Sequence, residues 1–262
     1  MHEGTTGDTP SSGPGTPVTV IVPTFREAEN LPALLERVTE VRTTRGLDLD
    51  LLIVDDDSDD GSVEAVERFG APWVQILVRH GRRGLATAVV DGIARARGDI
   101  IVVMDADLSH PPEAIPELLA ALEDADIVIG SRYVAGGSTD DDWGAWRLFK
   151  SRIATRLARP LMSVNDPMAG FFAIRRRDVV GDLRPVGYKI LLELIVRCRL
   201  ERVTEVPIHF RDRFRGSSKL TTREELLFLE HLRRLYVFEL ASLLTRERKT
   251  ATRGSRSRGS AR

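Results

Sequence analysis

Ile100-Ile101-Val102-Val103-Met104-Asp105-Ala106-Asp107 is an apolar run that stops at two carboxylates one residue apart, and Leu108-Ser109-His110-Pro111-Pro112 follows it. Such an unbroken apolar run suits a strand covered on both faces. The aspartates at its end have two readings. They stop the strand in water, or they hold a divalent cation against a diphosphate, because hard cations take oxygen ligands and bridge carboxylates to phosphates. Two other runs share the layout. Leu51-Leu52-Ile53-Val54 ends in Asp55-Asp56-Asp57 and the turn Ser58-Asp59-Asp60-Gly61-Ser62, and Val18-Thr19-Val20-Ile21-Val22 ends in Pro23-Thr24-Phe25-Arg26-Glu27. Ligands of open α/β sheets bind outside the carboxyl ends of the strands, so three polar ends can converge on one crevice.

Outward from these runs, strands are predicted near residues 18–23, 50–55, 74–79, 99–105 and 126–130, and helices near 28–43, 62–69, 83–97 and 111–124. This alternation predicts an α/β fold whose mostly parallel sheet carries helices on both faces. Pro32, Pro112 and Pro116 fall in first helical turns, where the missing N–H costs nothing. The second half is less regular. A loop rich in Gly and Asp from Ala135 to Gly144 leads to a helix through about Met162. Strands near 170–175 and 203–210, a helix near 188–200 and an amphipathic helix from Thr222 to Leu244 follow.

The chain has 262 residues, enough to bury a sizeable core, and its middle contains no linker-like stretch. One domain over 17–244 is expected. Residues 1–16, rich in Gly, Thr, Ser and Pro, and the basic tail 245–262 are expected to be disordered. The 38 basic residues balance 39 acidic ones, so overall charge does not mark a nucleic-acid binder. The single cysteine, Cys198, sits in an apolar segment and reads as core in a reducing compartment. No signal sequence and no stretch near the roughly 20 apolar residues of a membrane span is evident, so a soluble or peripheral protein is expected.

The ordered motifs resemble the polyprenyl-phosphate sugar synthases of the dolichol-phosphate mannosyltransferase type, inverting GT-A glycosyltransferases of family 2. The matching segments are Val22 to Glu27, Val54-Asp55-Asp56, Asp105 to Pro112 and Gly130-Ser131-Arg132-Tyr133. Gly136-Gly137, Trp146-Arg147, Gly170-Phe171, Gly187-Tyr188-Lys189-Ile190, Glu205-Val206-Pro207-Ile208, Arg213, Gly216, Ser218 and Lys219 continue the series in family order. Two departures stand out. Asp57 and Asp59 replace the usual turn residues of the second motif, and Ser109 stands where some relatives carry glutamine.

The resemblance implies a GT-A, Rossmann-like fold with a C-terminal amphipathic helix, and it implies roles for named residues. Pro23, Phe25, Glu27, Val54 and Asp56 would line the nucleotide pocket, with Phe25 facing the base and the acids accepting hydrogen bonds. On its own, Phe25 also reads as core. Asp105, Ala106 and Asp107 would meet the diphosphate, with Asp105, Asp107 and the less certain Ser109 around Mg²⁺ or Mn²⁺. Arg132, Lys189, Arg213 and Lys219 would join the nucleotide-sugar site, and the hydroxyl-rich basic loop around Lys219 could close over the donor. Arg147 and Ser151, four apart on one helical face, would receive the acceptor phosphate. The catalytic group would then be Asp107, Arg132, Arg147 and Ser151. His110 is assigned packing, not proton transfer, because a phosphate monoester with a second pKa of about 6 is already an anion at neutral pH.

The implied reaction moves mannose from GDP-mannose to a polyprenyl or dolichyl phosphate at the cytoplasmic face of a membrane. A membrane surface or a membrane-protein partner would hold the enzyme there, with no nucleic acid involved. UDP-glucose as donor and a non-catalytic sugar-nucleotide-binding module remain as alternatives. The helix 222–244 likewise has two readings, closing the core or lying in a bilayer interface.

Overall fold

The computed structural model describes residues 16–140, 156–211 and 222–258, with side chains of the last segment described over 224–244. The first half alternates strand and helix: β1 (Val18–Thr24), α1 (Leu31–Thr44), β2 (Leu49–Asp55), α2 (Ser62–Phe69), β3 (Val74–Val78), α3 (Leu85–Arg95) and β4 (Ile100–Val103). A 3₁₀ turn, Pro112–Ala114, leads into α4 (Ile115–Ala121), then β5 (Ile127–Ser131) and the two-residue β6 (Ser138–Thr139). The second half holds β7 (Phe172–Arg175), α5 (Ile190–Cys198), β8 (Val203–Pro207), β9 (His209–Phe210) and the long α6 (Thr222–Arg258).

The main sheet has seven strands in the order β3-β2-β1-β4-β7-β5-β8. All neighbouring pairs are parallel except those made by β7, which runs antiparallel between β4 and β5. Side chains alternate across the sheet as strand geometry requires. Ile21, Leu52, Val54, Ile101 and Val103 enter the core on the face of α3 and α5. Val20, Val22, Leu51, Ile53 and Val102 enter the core under α1 and α4. β1, β2 and β4 are therefore largely apolar because both of their faces are covered.

Several boundaries differ from the sequence reading for identifiable reasons. Helix α1 starts at Leu31, not near 28, because Asn30 folds back in a turn, donating its N–H to the Glu27 carbonyl and its Nδ2 to Glu27 Oε2. β4 ends before the aspartates: the Met104 N–H still bonds Ile21, but the Asp105 N–H turns to His110 Nδ1. The strand expected over 203–210 is two, β8 beside β5 and β9 beside β6. Pro207, with no N–H to donate, lies at the break. Helix α6 runs to Arg258, past the expected end at Leu244, through an Arg-rich stretch that contains no proline. The boundary placed at residue 245 is thus not a break in secondary structure. Residues 1–15 of the expected N-terminal extension lie outside the described residues.

Candidate active site

β1, β2 and β4 are adjacent and parallel, so their carboxyl ends open on one edge of the sheet. Beyond each end lies a non-glycine residue in the left-handed region: Arg26 (φ 59°), Asp57 (φ 59°) and Leu108 (φ 63°). Aspartate tolerates that conformation, whereas arginine and leucine are strained by it, and such strain collects at functional sites.

At the end of β2 the two acids have separate duties. Asp55, fully buried, accepts from Thr24 Oγ1 at 2.7 Å and from the Ser58 N–H at 2.7 Å, tying β1 to the turn. Asp56 accepts from Arg79 Nη1 at 2.5 Å and from the Gly84 N–H at 2.6 Å. Arg79, at the carboxyl end of β3, also donates to Asp91 Oδ2 and Thr87 Oγ1, so this buried guanidinium fixes Asp56 in place. A cavity of about 400 Å³ opens there, lined by Asp56, Asp57, Arg79, Gly81, Arg82 and Arg83. Phe25 stands beside it with Arg83 4.6 Å and Arg26 5.3 Å from its ring centroid. Half-buried, with two guanidinium groups over its ring, Phe25 is not a core residue. Val54 has the opposite placement. Its side chain is in the core, where a Cβ added to Gly92 would come within 3.2 Å of it, so only its backbone can face a ligand.

At the end of β4, Asp107 is almost fully buried, and its Oδ1 accepts from both the N–H (3.1 Å) and the hydroxyl (2.5 Å) of Ser109. Ser109 is therefore engaged in orienting the carboxylate. His110 lies under Asp105, accepting the Asp105 N–H at 3.0 Å and stacking on Phe171 with centroids 5.4 Å apart. Burial lowers the pKa of His110, against the pull of Asp105 and Asp107. The ring is thus neutral, and its 3.8 Å approach to Asp105 Oδ2 is not an ion pair. Gly170 packs closely here, since a Cβ there would sit 3.2 Å from His110 Cε1 and 3.5 Å from Asp105 Oδ1 and would press on the buried ring.

Cations close the other side. Arg132, beyond β5, pairs with the fully buried Asp166 through Nε at 2.8 Å and Nη2 at 2.9 Å. Glu205 in turn accepts the backbone N–H of Asn165 and Asp166, holding that loop. Lys189, just before α5, donates from Nζ to the Met168 carbonyl at 2.7 Å. Its pKa falls to about 8, chiefly through burial and then through the charge of Arg132, with Asp166 and Asp105 opposing. The strand ends thus hold an acidic side (Asp105, Asp107) within electrostatic reach of a cationic one (Arg132, Lys189).

Asp105 and Asp107 fit Mg²⁺ or Mn²⁺ as a two-carboxylate oxygen site of the kind completed by water and substrate phosphates. No group of three or more His, Cys, Asp or Glu among the described residues forms a self-sufficient metal cage. The structure thus brings together Pro23, Phe25, Glu27, Asp56, Asp105, Ala106, Asp107, Ser109, Arg132 and Lys189 along one edge. Arg147, Ser151, Arg213 and Lys219 lie outside the described residues. Sequence reasoning missed Arg79, Thr87, Gly84 and the Arg82-Arg83 pair. The signal was available: β3 is a further parallel strand, and Arg79 is the residue just past its carboxyl end.

Residues 19–184 match the family described as Glycosyl transferase family 2. A dolichol-phosphate mannosyltransferase of Pyrococcus furiosus is 41% identical over 85% of this chain, which spans 64% of that relative's length. One of Saccharomyces cerevisiae is 38% identical over 85% of this chain and 88% of its own. Among solved structures, mannosyl-3-phosphoglycerate synthase from Rubrobacter xylanophilus superposes with TM-score 0.65 at 18% identity, covering 84% of this chain and 74% of its own. The glucosyl-3-phosphoglycerate synthase of Mycobacterium tuberculosis, crystallised with Mn²⁺ and UDP-glucose, gives 0.61 at 18% identity over 85% of this chain and 79% of its own. These structures share the fold, and the sequence match extends through both halves of the site. The chain belongs to glycosyl transferase family 2.

Proposed function

We propose that this chain transfers mannose from GDP-mannose to a polyprenyl or dolichyl monophosphate, with inversion, as a peripheral protein at the cytoplasmic face of a membrane. One observation carries the reading: Asp105, beside Asp107 past β4, faces the cations Lys189 and Arg132 in a chain 38–41% identical to proteins named dolichol-phosphate mannosyltransferase.

The base would rest on Phe25 with Asp56 and Glu27 accepting its hydrogen bonds, and Arg79 keeps Asp56 aimed. Asp105 and Asp107 would hold Mg²⁺ or Mn²⁺, which when bound neutralises charge that grows on the departing diphosphate. Ser109 sets the angle of Asp107, and Lys189 adds a second positive charge. Arg132, committed to Asp166 by two hydrogen bonds, braces the wall that carries Lys189 and is a weaker candidate for direct phosphate contact. An oxygen of the acceptor phosphate attacks the anomeric carbon through an oxocarbenium-like state, the bond to the diphosphate breaks, and GDP leaves. No proton is removed from the nucleophile, which agrees with the neutral, buried His110. Arg147 and Ser151 for the acceptor, and Arg213 and Lys219 for the diphosphate, remain assignments from the family resemblance.

A single transfer assay tests the reading, with dolichyl or phytanyl phosphate as acceptor, Mg²⁺ present, and labelled GDP-mannose and UDP-glucose in competition. Mannose-labelled lipid is expected. Glucose-labelled lipid would reassign the donor, and tight sugar-nucleotide binding with no labelled lipid would make the chain a binding module.

A further inference from the structure

Asp57 and Arg83 line the cavity beside Phe25, and the proposed reaction gives neither of them a role. Asp57 stands in place of a usual turn residue of its motif, and Arg83 lies in the turn from β3 into α3. Both are solvent-exposed. The other cations of this wall are already engaged. Buried Arg79 donates to Asp91, Asp56, the Gly84 carbonyl and Thr87, and Arg82 lies 3.7 Å from Asp91. Arg83 has no carboxylate partner among the described residues, and its guanidinium lies 4.6 Å from the Phe25 ring centroid.

Asp57 is half engaged. Its Oδ1 meets His80 Nδ1 at 2.9 Å, and Oδ2 has no partner among the described residues. An arginine and an aspartate on one pocket wall can neutralise each other, but these two do not pair. One therefore offers a fork of donors to an entering ligand, and the other offers an open acceptor.

Nucleobases differ in what they present to such a pair. Guanine carries two adjacent acceptors, O6 and N7, which an arginine fork binds together, and two donors, N1–H and N2–H₂, on the adjoining edge for a carboxylate. Uracil has a single N–H between two carbonyl oxygens and nothing equivalent to N7, so the carboxylate meets repulsion and the fork loses a partner. Adenine sets a donor beside N7 and an acceptor at N1, the wrong way round for both groups.

We propose that Arg83 and Asp57 select guanine in the sugar nucleotide, Arg83 through O6 and N7 and Asp57 through N1–H and N2–H₂. A base resting on Phe25 takes the place of the Arg83 guanidinium over the ring and moves it to the base edge. The proposal names the groups that read the base of the donor, and it rests on the GDP-mannose reading.

Calorimetric titration of the full chain, with Mg²⁺ present, by GDP, UDP, 7-deaza-GDP and inosine diphosphate tests it. Ribose and diphosphate are common to all four, so the affinity ratios report the base. The parent should bind GDP at least about tenfold more tightly than UDP, than 7-deaza-GDP, which lacks N7, and than inosine diphosphate, which lacks the N2 amine. Arg83→Leu should erase the 7-deaza penalty and keep the inosine penalty. Asp57→Asn should do the reverse, since asparagine also tolerates the left-handed backbone at φ 59° while turning a donor towards the base. Equal binding of GDP and 7-deaza-GDP by the parent, or an undiminished 7-deaza penalty in Arg83→Leu, would overturn the role of Arg83. An inosine penalty that survives Asp57→Asn would overturn that of Asp57. In those cases a retained preference for GDP over UDP leaves the donor reading standing, whereas UDP bound as tightly as GDP would remove both.

Discussion

Asp107 receives both donors of Ser109 on one oxygen, and that arrangement sets the expected order of damage at the site. Asp107→Ala should reduce transfer by at least about a thousandfold, because the departing diphosphate then lacks a carboxylate-held cation. Asp105→Ala should also be severe. Ser109→Ala should keep the ligands but loosen one, lowering apparent Mg²⁺ affinity about 10- to 100-fold in a metal titration of activity. Near-normal turnover by Asp107→Ala, with chelator still inhibiting the parent, would place the metal elsewhere. Lys189 gives a pH test with opposite signs. Burial lowers its pKa from 10.5 to about 8, so the cation is present below that pH and transfer should decline as pH rises through it. Stability should move the other way between about 8 and 10.5, since the unfolded chain binds the proton that the folded chain has shed. Lys189→Arg, which cannot deprotonate, should remove the alkaline limb from a kcat/KM profile. The acids were readable because each closes an apolar run. Arg79 also closes a strand, but its role was hidden because its partners Asp91 and Asp56 lie 12 and 23 positions away and only the folded sheet brings them together.

Strands and helices of the first half were legible because covering both faces of a parallel sheet forces continuous apolar runs, as in β1, β2 and β4. The direction of β7 was not legible, since a buried antiparallel strand carries the same Val, Ile and Phe pattern as a parallel one. β6 and β9 escaped for another reason: two residues cannot show a period. One close approach between elements also went unread. Gly98, in the turn from α3 into β4, donates its N–H to Thr19 Oγ1, and an added Cβ would lie 2.6 Å from the Thr19 backbone nitrogen. A backbone atom cannot swing aside as a side chain can. Gly98→Ala should therefore cost about 2–3 kcal/mol in urea denaturation, and a wild-type midpoint would mean the turn shifts freely.

At the scale of the molecule, α6 is fastened to the rest of the fold by a buried ionic cluster. Glu193 on α5 faces His231 on α6 at 2.9 Å, with Arg197 Nε 2.6 Å away at an angle unsuited to a hydrogen bond and the Arg184 N–H donating as well. Burial raises the Glu193 pKa, but those partners, led by His231, outweigh it and leave it below 4.5. A depressed carboxylate stabilises the fold above its unfolded pKa and loses that contribution as pH falls through the folded value. Thermal stability should thus begin to fall below about pH 4.5, and Glu193→Gln should flatten that part of the curve. The same cluster lies one helical turn from Lys189, so it links α6 to the wall of the site. The reaction itself is tested most directly by the anomeric configuration of the product. With α-linked GDP-mannose, phytanyl phosphate and Mg²⁺, proton and phosphorus NMR should show a β-mannosyl phosphodiester and one equivalent of GDP. An α-linked product, or free mannose in its place, would contradict inverting transfer to the lipid phosphate.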